Sequence, residues 1–338
     1  MIALGFVGLG WWGRELARAA SALRPRLRVA RCFSPIENER GDFAREFGAQ
    51  PCASLDALLA APDVDAVILA TPHSLHGSQI EAAAGARKHV FVEKPMTLAA
   101  ADGRRALAAC RARGVTLAVG HNRRLLAGPP HIRQAIAAGR LGTVLHAEAN
   151  FSTPEGLRLD DRHWRARAAE SPGGALAPLG IHVIDMFHFL FGEVERVSAM
   201  TARRTMTTEL DDTAAVLLRY RSGVTGYFGS LYATPYTSEF TVYGSAGKAS
   251  LHATRPDAPE DRPTLDLQPV DGSPERIPVP WVDTTRRQLE CFADAIEGKG
   301  AVAVDGEDAL RNVALLEAIL ASAASGGRPE TPDYRGDF

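Results

Sequence analysis

Residues Gly8-Leu9-Gly10-Trp11-Trp12-Gly13 constrain this chain most. They close a short apolar run, residues 4–7, and open a segment in which Leu16, Ala19, Ala20 and Leu23 recur at helical spacing. Pro25 stops that helix, and residues 27–33 read as a second strand. The pattern is β–α–β with a G-x-G-x-x-G turn at its first corner. In such a unit the first glycine permits a tight turn and the second lets a pyrophosphate approach the backbone. The third lets helix and strand pack closely. The helix N-terminus adds free N–H groups and a positive dipole end. Gly8, Gly10, Trp11, Trp12 and Gly13 are therefore expected at a dinucleotide.

An Asp or Glu about 20 residues further on would hold the ribose 2′-OH of NAD. The second strand instead ends Arg31-Cys32-Phe33-Ser34-Pro35. Ser34, with Arg31 or Arg40 nearby, suits a 2′-phosphate, so NADP is the expected cofactor and NAD the alternative.

The strand at residues 66–70 ends in Thr71-Pro72-His73, a helix follows at 79–86, and the strand at 88–92 ends in Glu93-Lys94-Pro95. Alternating strands and helices predict a doubly wound parallel sheet. Ligands bind such sheets at the carboxyl ends of the strands. That places Thr71, Pro72, His73, His76, Glu93 and Lys94 on the cofactor side. His73 and His76 form an H-x-x-H pair, but no third ligand is evident. The pair reads as a helix-entry loop near the nicotinamide, and no metal is expected. A helix at 96–112 and a strand at 115–119 lead to Gly120-His121-Asn122-Arg123-Arg124, again at a strand's carboxyl end.

The chain's 338 residues suffice for two domains, and its net charge of −2 gives no electrostatic case for nucleic acid or an anionic membrane. No apolar stretch nears the roughly 20 residues of a membrane span. The N-terminus lacks the features of a signal peptide, so a cytoplasmic protein is expected. The four cysteines form no C-x-x-C pair and read as free buried thiols.

The sequence resembles the Gfo/Idh/MocA oxidoreductases, the family of glucose–fructose oxidoreductase and inositol dehydrogenase. The resemblance rests on GLGWWG at residues 8–13, DVDAVILATPHSLH at 63–76, KHVFVEKP at 88–95 and GHNRR at 120–124. GGALAPLGIHVID at 173–185, FADAIEG at 292–298 and GEDALR at 306–311 add to it. It implies an α/β Rossmann domain over residues 1–120. A substrate-binding and oligomerisation α+β domain over 121–338 follows, with a large, mostly antiparallel open-faced sheet. Its C-terminal helices are free to pack back on the first domain. It further implies a homodimer or homotetramer built through that sheet, and hydride transfer between nicotinamide and a carbinol or ketone of a sugar, cyclitol or related polyol. By analogy Lys94 meets the reacting oxygen, and a cis bond is expected at Lys94–Pro95 to fix the direction of that lysine. Asn122, Arg123 and Trp164 become candidate substrate contacts, with His163, Arg165 and Arg167 near them.

In the second half, strands are expected at 143–151, 195–201, 213–220, 224–231, 239–243 and 249–253. Residues 254–278, rich in Pro and Asp, read as a surface excursion, and 284–298 and 307–324 as helices. Residues 326–338 read as a loose tail. A helix from about Pro178 carries His182 and Asp185. In the family pattern an acid stands four residues before this histidine, on the same helix face. Here that residue is Pro178, which supplies no carboxylate. His182 is then expected to act as general acid/base without it, since an ordinary imidazole titrates at about 6.5. Asp185 is the nearest acid that could orient it or meet substrate. The alternatives are a non-catalytic dinucleotide-sensing regulator, which Pro178 favours, and a lyase or glycosidase that oxidises its substrate transiently.

Overall fold

The structure is a computed structural model that describes residues 1–253 and 263–334. The chain divides into two compact units, residues 1–122 with 283–313 and residues 123–282 with 314–337. The first unit thus takes in residues 283–313, which lie in the sequence-based second domain.

In the first unit the strands are β1 (Ile2–Val7), β2 (Leu27–Phe33), β3 (Gln50–Pro51), β4 (Ala66–Leu69), β5 (His89–Val92) and β6 (Leu117–Val119). The helices are α1 (Trp11–Ala22), α2 (Glu37–Phe47), α3 (Leu55–Leu59), α4 (His76–Gly85) and α5 (Ala100–Arg113). The six strands run parallel in the order β3-β2-β1-β4-β5-β6. Every residue of β1 and β4 is buried, as strands covered on both faces require. α1 turns Leu16, Ala17 and Ala20 into the same core as Phe6, Phe43 and Phe91. The order reverses between β1 and β4, so the turns after these strands flank the crevice in which such sheets take ligands.

The second unit contains α6 (Gly128–Ala137), β7 (Val144–Ser152), α7 (Gly180–Phe191), β8 (Val194–Ala202), β9 (Thr213–Tyr220), β10 (Thr225–Leu231), β11 (Thr237–Gly244), β12 (Gly247–Ala253), β13 (Thr264–Pro269) and β14 (Glu275–Pro278). Eight strands form one sheet in the order β14-β13-β12-β11-β7-β10-β9-β8. Among the described residues only β7 and β10 of this sheet pair in parallel. Along β9 buried and exposed residues alternate, so one face of the sheet is packed and the other open. Ala147, Val216, Phe228 and Phe187 fill the packed side. Met200, Leu217 and Tyr227 stay exposed.

The helices α8 (Thr284–Ile296) and α9 (Gly306–Ala324) follow. α8 sends Leu289, Phe292 and Ala293 into the core around β1, with Phe292 edge-on to Phe91 of β5.

Three expectations are corrected. Residues 254–278 are not all excursion. β13 pairs with β12 and β14 with β13, because Leu265 and Leu267 alternate with polar residues and bury in the core. Residues 254–262 lie outside the described residues. The tail is anchored as far as it is described. Glu330 bridges Val197, and the Tyr334 hydroxyl meets His188 Nε2 at 3.0 Å and accepts from the Val194 amide at 3.2 Å. Residues 335–338 lie outside the described residues. The helix carrying His182 starts at Gly180, not at Pro178, after a single 3-10 turn at Gly174–Leu176.

Candidate active site

The turn after β1 is shaped by what its glycines leave out. Gly8 has φ +88°, and a Cβ there would lie 2.4 Å from the Ala70 carbonyl oxygen. A Cβ on Gly13 would lie 2.1 Å from the Gly8 carbonyl oxygen. Both positions therefore demand glycine, one for the turn and one for helix–strand contact. A Cβ on Gly10 would meet nothing within 4 Å, so this glycine faces open space, as close approach by a pyrophosphate needs. Gly10 caps α1 with no side-chain hydrogen bond, and the first turn holds no acid. Its amides are thus offered outward, toward an anion. Trp11 is 70% exposed beside the turn, while Trp12 packs against the core. The Trp12 indole Nε1 is buried with no hydrogen-bond partner among the described residues. The same holds for both amide atoms of Gln288 on α8, the helix packed against α1. Orphaned polar atoms are uncommon in folded chains, and a bound polar group would satisfy them. The turn therefore fits a dinucleotide.

Ser34 follows β2 and is 3% exposed. Its hydroxyl donates to Glu39 Oε2 at 2.5 Å and accepts from the Ile36 amide at 3.2 Å. Arg40 turns its guanidinium to the Ser34 carbonyl at 2.6 Å. Arg31, the other candidate cation, pairs with Asp63 at 2.7 Å. Glu39 was not singled out by the sequence. Its signal was an acid in the first turn of the helix after β2.

At the next two strand ends, Thr71 donates to Gln79 Oε1 at 2.6 Å. Pro72 leads into a 3-10 turn that carries His73. His76 is fully buried, with Nδ1 2.8 Å from the Pro95 carbonyl oxygen and Nε2 3.1 Å from that of Thr71. Both ring nitrogens face oxygens that only accept, which suits structure rather than metal ligation. The Lys94–Pro95 bond is cis. Glu93 is 7% exposed, and a Cβ on Gly120 would lie 2.6 Å from its Oε1, so this carboxylate fills the space glycine leaves after β6. Its other oxygen accepts from the Lys94 amide at 3.3 Å. Asn122 donates to Thr284 Oγ1 at 3.0 Å, which ties the end of β6 to the start of α8.

In the second unit α7 holds His182 edge-on to Phe151, with ring centroids 5.9 Å apart. Arg123 lies over the face of the same Phe151, 3.9 Å from its centroid, and donates to the Tyr236 hydroxyl at 2.7 Å. Asp185 is 1% exposed and accepts two bonds from Arg124, at 2.7 Å to Nη2 and 3.1 Å to Nε. The carboxylate proposed to orient His182 or meet substrate is thus bound bidentately by a neighbouring cation. Arg124 and Tyr236 were absent from the sequence-based site. Arg124 stands inside the GHNRR motif, whereas nothing in the sequence marked Tyr236. A cavity beside His182 is lined mainly by apolar groups, among them Leu126, Met186, Leu251 and Trp281. Trp164 stacks on His163 at 5.9 Å and lies under the Arg165 guanidinium. Burial, then Arg165, hold the His163 imidazole below its ordinary pKa.

The turn entering α7 rests on a loop fixed by Asp212. A Cβ on Gly174 would lie 1.8 Å from the Asp211 carbonyl oxygen, and that oxygen accepts from the Ala175 amide at 2.9 Å. The Asp212 carboxylate accepts from the amides of Arg204, Thr205 and Met206 and from the Thr213 hydroxyl. Burial works to raise its pKa, but these bonds outweigh it and hold the group below the ordinary carboxylate range.

Residues 2–121 match the model of an oxidoreductase family with an NAD-binding Rossmann fold, and residues 131–250 match the GFO/IDH/MocA C-terminal domain. The chain belongs to the Gfo/Idh/MocA family. As a member it is an NAD(P)-dependent oxidoreductase. Among curated relatives it is 30% identical to a 1,5-anhydro-D-fructose reductase of Ensifer adhaerens, over 86% of this chain and 88% of that protein. Solved structures superpose along nearly the whole chain. The WlbA dehydrogenase of Bordetella pertussis, in complex with NADH and UDP-GlcNAcA, gives a TM-score of 0.87 at 26% identity, covering 98% of this chain and 97% of that one. The 3-ketoreductase KijD10 of Actinomadura kijaniata, with NADP and TDP-benzene, gives 0.85 at 25%, covering 95% and 97%. One relative carries NADH and the other NADP, so family membership alone leaves the choice between them open.

Proposed function

We propose that the chain transfers a hydride reversibly between a nicotinamide dinucleotide and a carbinol or ketone carbon of a sugar or related polyol. The observation that carries this reading is Lys94 at the carboxyl end of β5, in the sheet whose β1 ends in the open glycine turn. The sugar class draws support from the reductase and the UDP-sugar complex named above. When bound, the nicotinamide supplies the hydride acceptor or donor. Lys94 Nζ hydrogen-bonds the reacting oxygen, and His182 takes the hydroxyl proton in oxidation and returns it in reduction. Arg124 and Asp185 hold the helix that carries His182, in place of the acid that Pro178 removes. Asn122, Arg123 and Trp164 are retained as candidate contacts to substrate.

For the cofactor, the Ser34–Glu39 contact argues against a 2′-phosphate. It adds a carboxylate at the end of β2 and occupies the hydroxyl that would greet the phosphate. We therefore favour NAD(H), the reverse of the preference drawn from the sequence. The exposed Met200, Leu217 and Tyr227 on the open sheet face support self-association there, which light scattering in solution checks.

Titrating NADH and NADPH separately against tryptophan emission tests the reading, because Trp11 and Trp12 sit in the turn itself. Tighter NADH, followed by turnover on a sugar and cyclitol panel, supports it. Tighter NADPH rejects the Glu39 argument and keeps the enzyme. Binding of a dinucleotide with no turnover favours a non-catalytic sensor, the reading to which Pro178 lends weight.

A further inference from the structure

His76 sits at the first position of α4 and is wholly buried. Its ring stands between two carbonyl oxygens, Pro95 at 2.8 Å from Nδ1 and Thr71 at 3.1 Å from Nε2. A carbonyl oxygen accepts and never donates. A neutral imidazole carries one N–H, so it would satisfy one oxygen and aim its lone pair at the other. Only the doubly protonated ring donates to both.

We propose that His76 is a positioning residue that works as an imidazolium, tying the turn that presents Lys94 to the carboxyl end of β4. The two oxygens belong to the segments on either side of the site. Thr71 ends β4, and Pro95 follows Lys94 directly, so one ring fixes both. Bonds from a charged donor are roughly twice as strong as neutral ones. The N-terminal dipole of α4 opposes a cation there, by less than two such bonds supply. The ionisable groups on the surrounding segments are Glu93 and Lys94 on the turn, His73 with its ring 5.7 Å away and edge-on, Glu81 further along α4, and Asp102, Arg104 and Arg105 in the first turns of α5, of which Asp102 lies beside Gly77 and Arg105 pairs with both Glu81 and Asp102. The link to catalysis rests on the role given to Lys94. The charge state does not.

The test is a ring-nitrogen NMR spectrum of histidine-labelled protein at pH 8.5, well above the ordinary imidazole pKa of about 6.5. Of the ten histidines, one is expected to keep both nitrogens protonated, and its signals are expected to vanish in His76→Gln. Ten neutral rings in the wild type overturn the proposal, as does a charged ring that survives the substitution. If His76→Gln does not fold, through-space contacts of the persistent ring protons decide. Contacts to Thr71 and Pro95 support the proposal, and contacts elsewhere overturn it. In a folded His76→Gln, kcat is expected to fall about tenfold or more, as misplacement of a reacting group does, while NADH affinity moves less than threefold. An unchanged kcat overturns the positioning role. A charged His76 together with a fully active Lys94→Ala would overturn the Lys94 reading instead and leave the imidazolium standing.

Discussion

At the β1–α1 turn the groups offered to a ligand are backbone amides. Around α7 they are side chains that hold one another. The turn needs glycine for three separate reasons, and each shows in the sequence because glycine has no substitute there. The α7 region works through Arg124 with Asp185 and Arg123 with Tyr236, partners separated by 61 and 113 residues. A pairing over such distances leaves no local pattern. A site made of main chain can be read from spacing, whereas one made of paired side chains emerges only when the chain has folded.

The largest expected effect tests whether the first unit carries chemistry as well as binding. Lys94→Ala is expected to lower turnover by about 10²- to 10³-fold, the usual range for loss of one donor to a reacting oxygen, with NADH affinity nearly unchanged. Stopped-flow rates beside a binding titration check it, and retained turnover would reduce the β5 turn to a scaffold. Next comes the pairing in the second unit. Arg124→Leu removes the bidentate cation from a carboxylate that is 1% exposed and is expected to cost about 3–5 kcal/mol in urea unfolding. Adding Asp185→Leu should restore much of that loss. A single variant as stable as the parent would show that the pair does not hold α7.

A smaller effect separates the glycines. Gly10→Ala is expected to unfold at the wild-type temperature yet bind NADH about tenfold more weakly, a change of about 1.4 kcal/mol. Gly13→Ala must displace backbone and is expected to cost about 1–3 kcal/mol of stability. Equal behaviour of the two variants would erase the division between ligand-facing and packing glycines. An effect of similar size is expected at Asp212. Its folded pKa is depressed, so its contribution is complete above the ordinary value of about 3.9 and is lost as pH falls through the folded value. Asp212→Asn should therefore cost about 1–3 kcal/mol at pH 7, with the gap to wild type closing on acidification. A gap that stays constant to pH 3 would deny the carboxylate its role under α7.

The same division explains what was legible. The parallel sheet, the glycine turn, Lys94 and the helix with His182 all stood in the sequence, because periodicity and backbone demands wrote them there. The strands at Thr264–Pro269 and Glu275–Pro278 were hidden by Pro and Asp, although Leu265 and Leu267 alternate as an inward face must. Ser34 was seen, but Glu39 was not. The meaning of a serine depends on what its hydroxyl touches, and that carboxylate comes close only once the first turn of α2 forms directly after β2.

Tyr334 has a practical consequence. A single phenol closes over His188 and the first amide of β8, so the stretch after α9 acts as a latch on the helix bearing His182. A preparation of these 338 residues trimmed there by a protease would lose little mass and pass for intact on a gel. It would nonetheless carry a loosened α7, and assays on such material would report a damaged enzyme as a sluggish one.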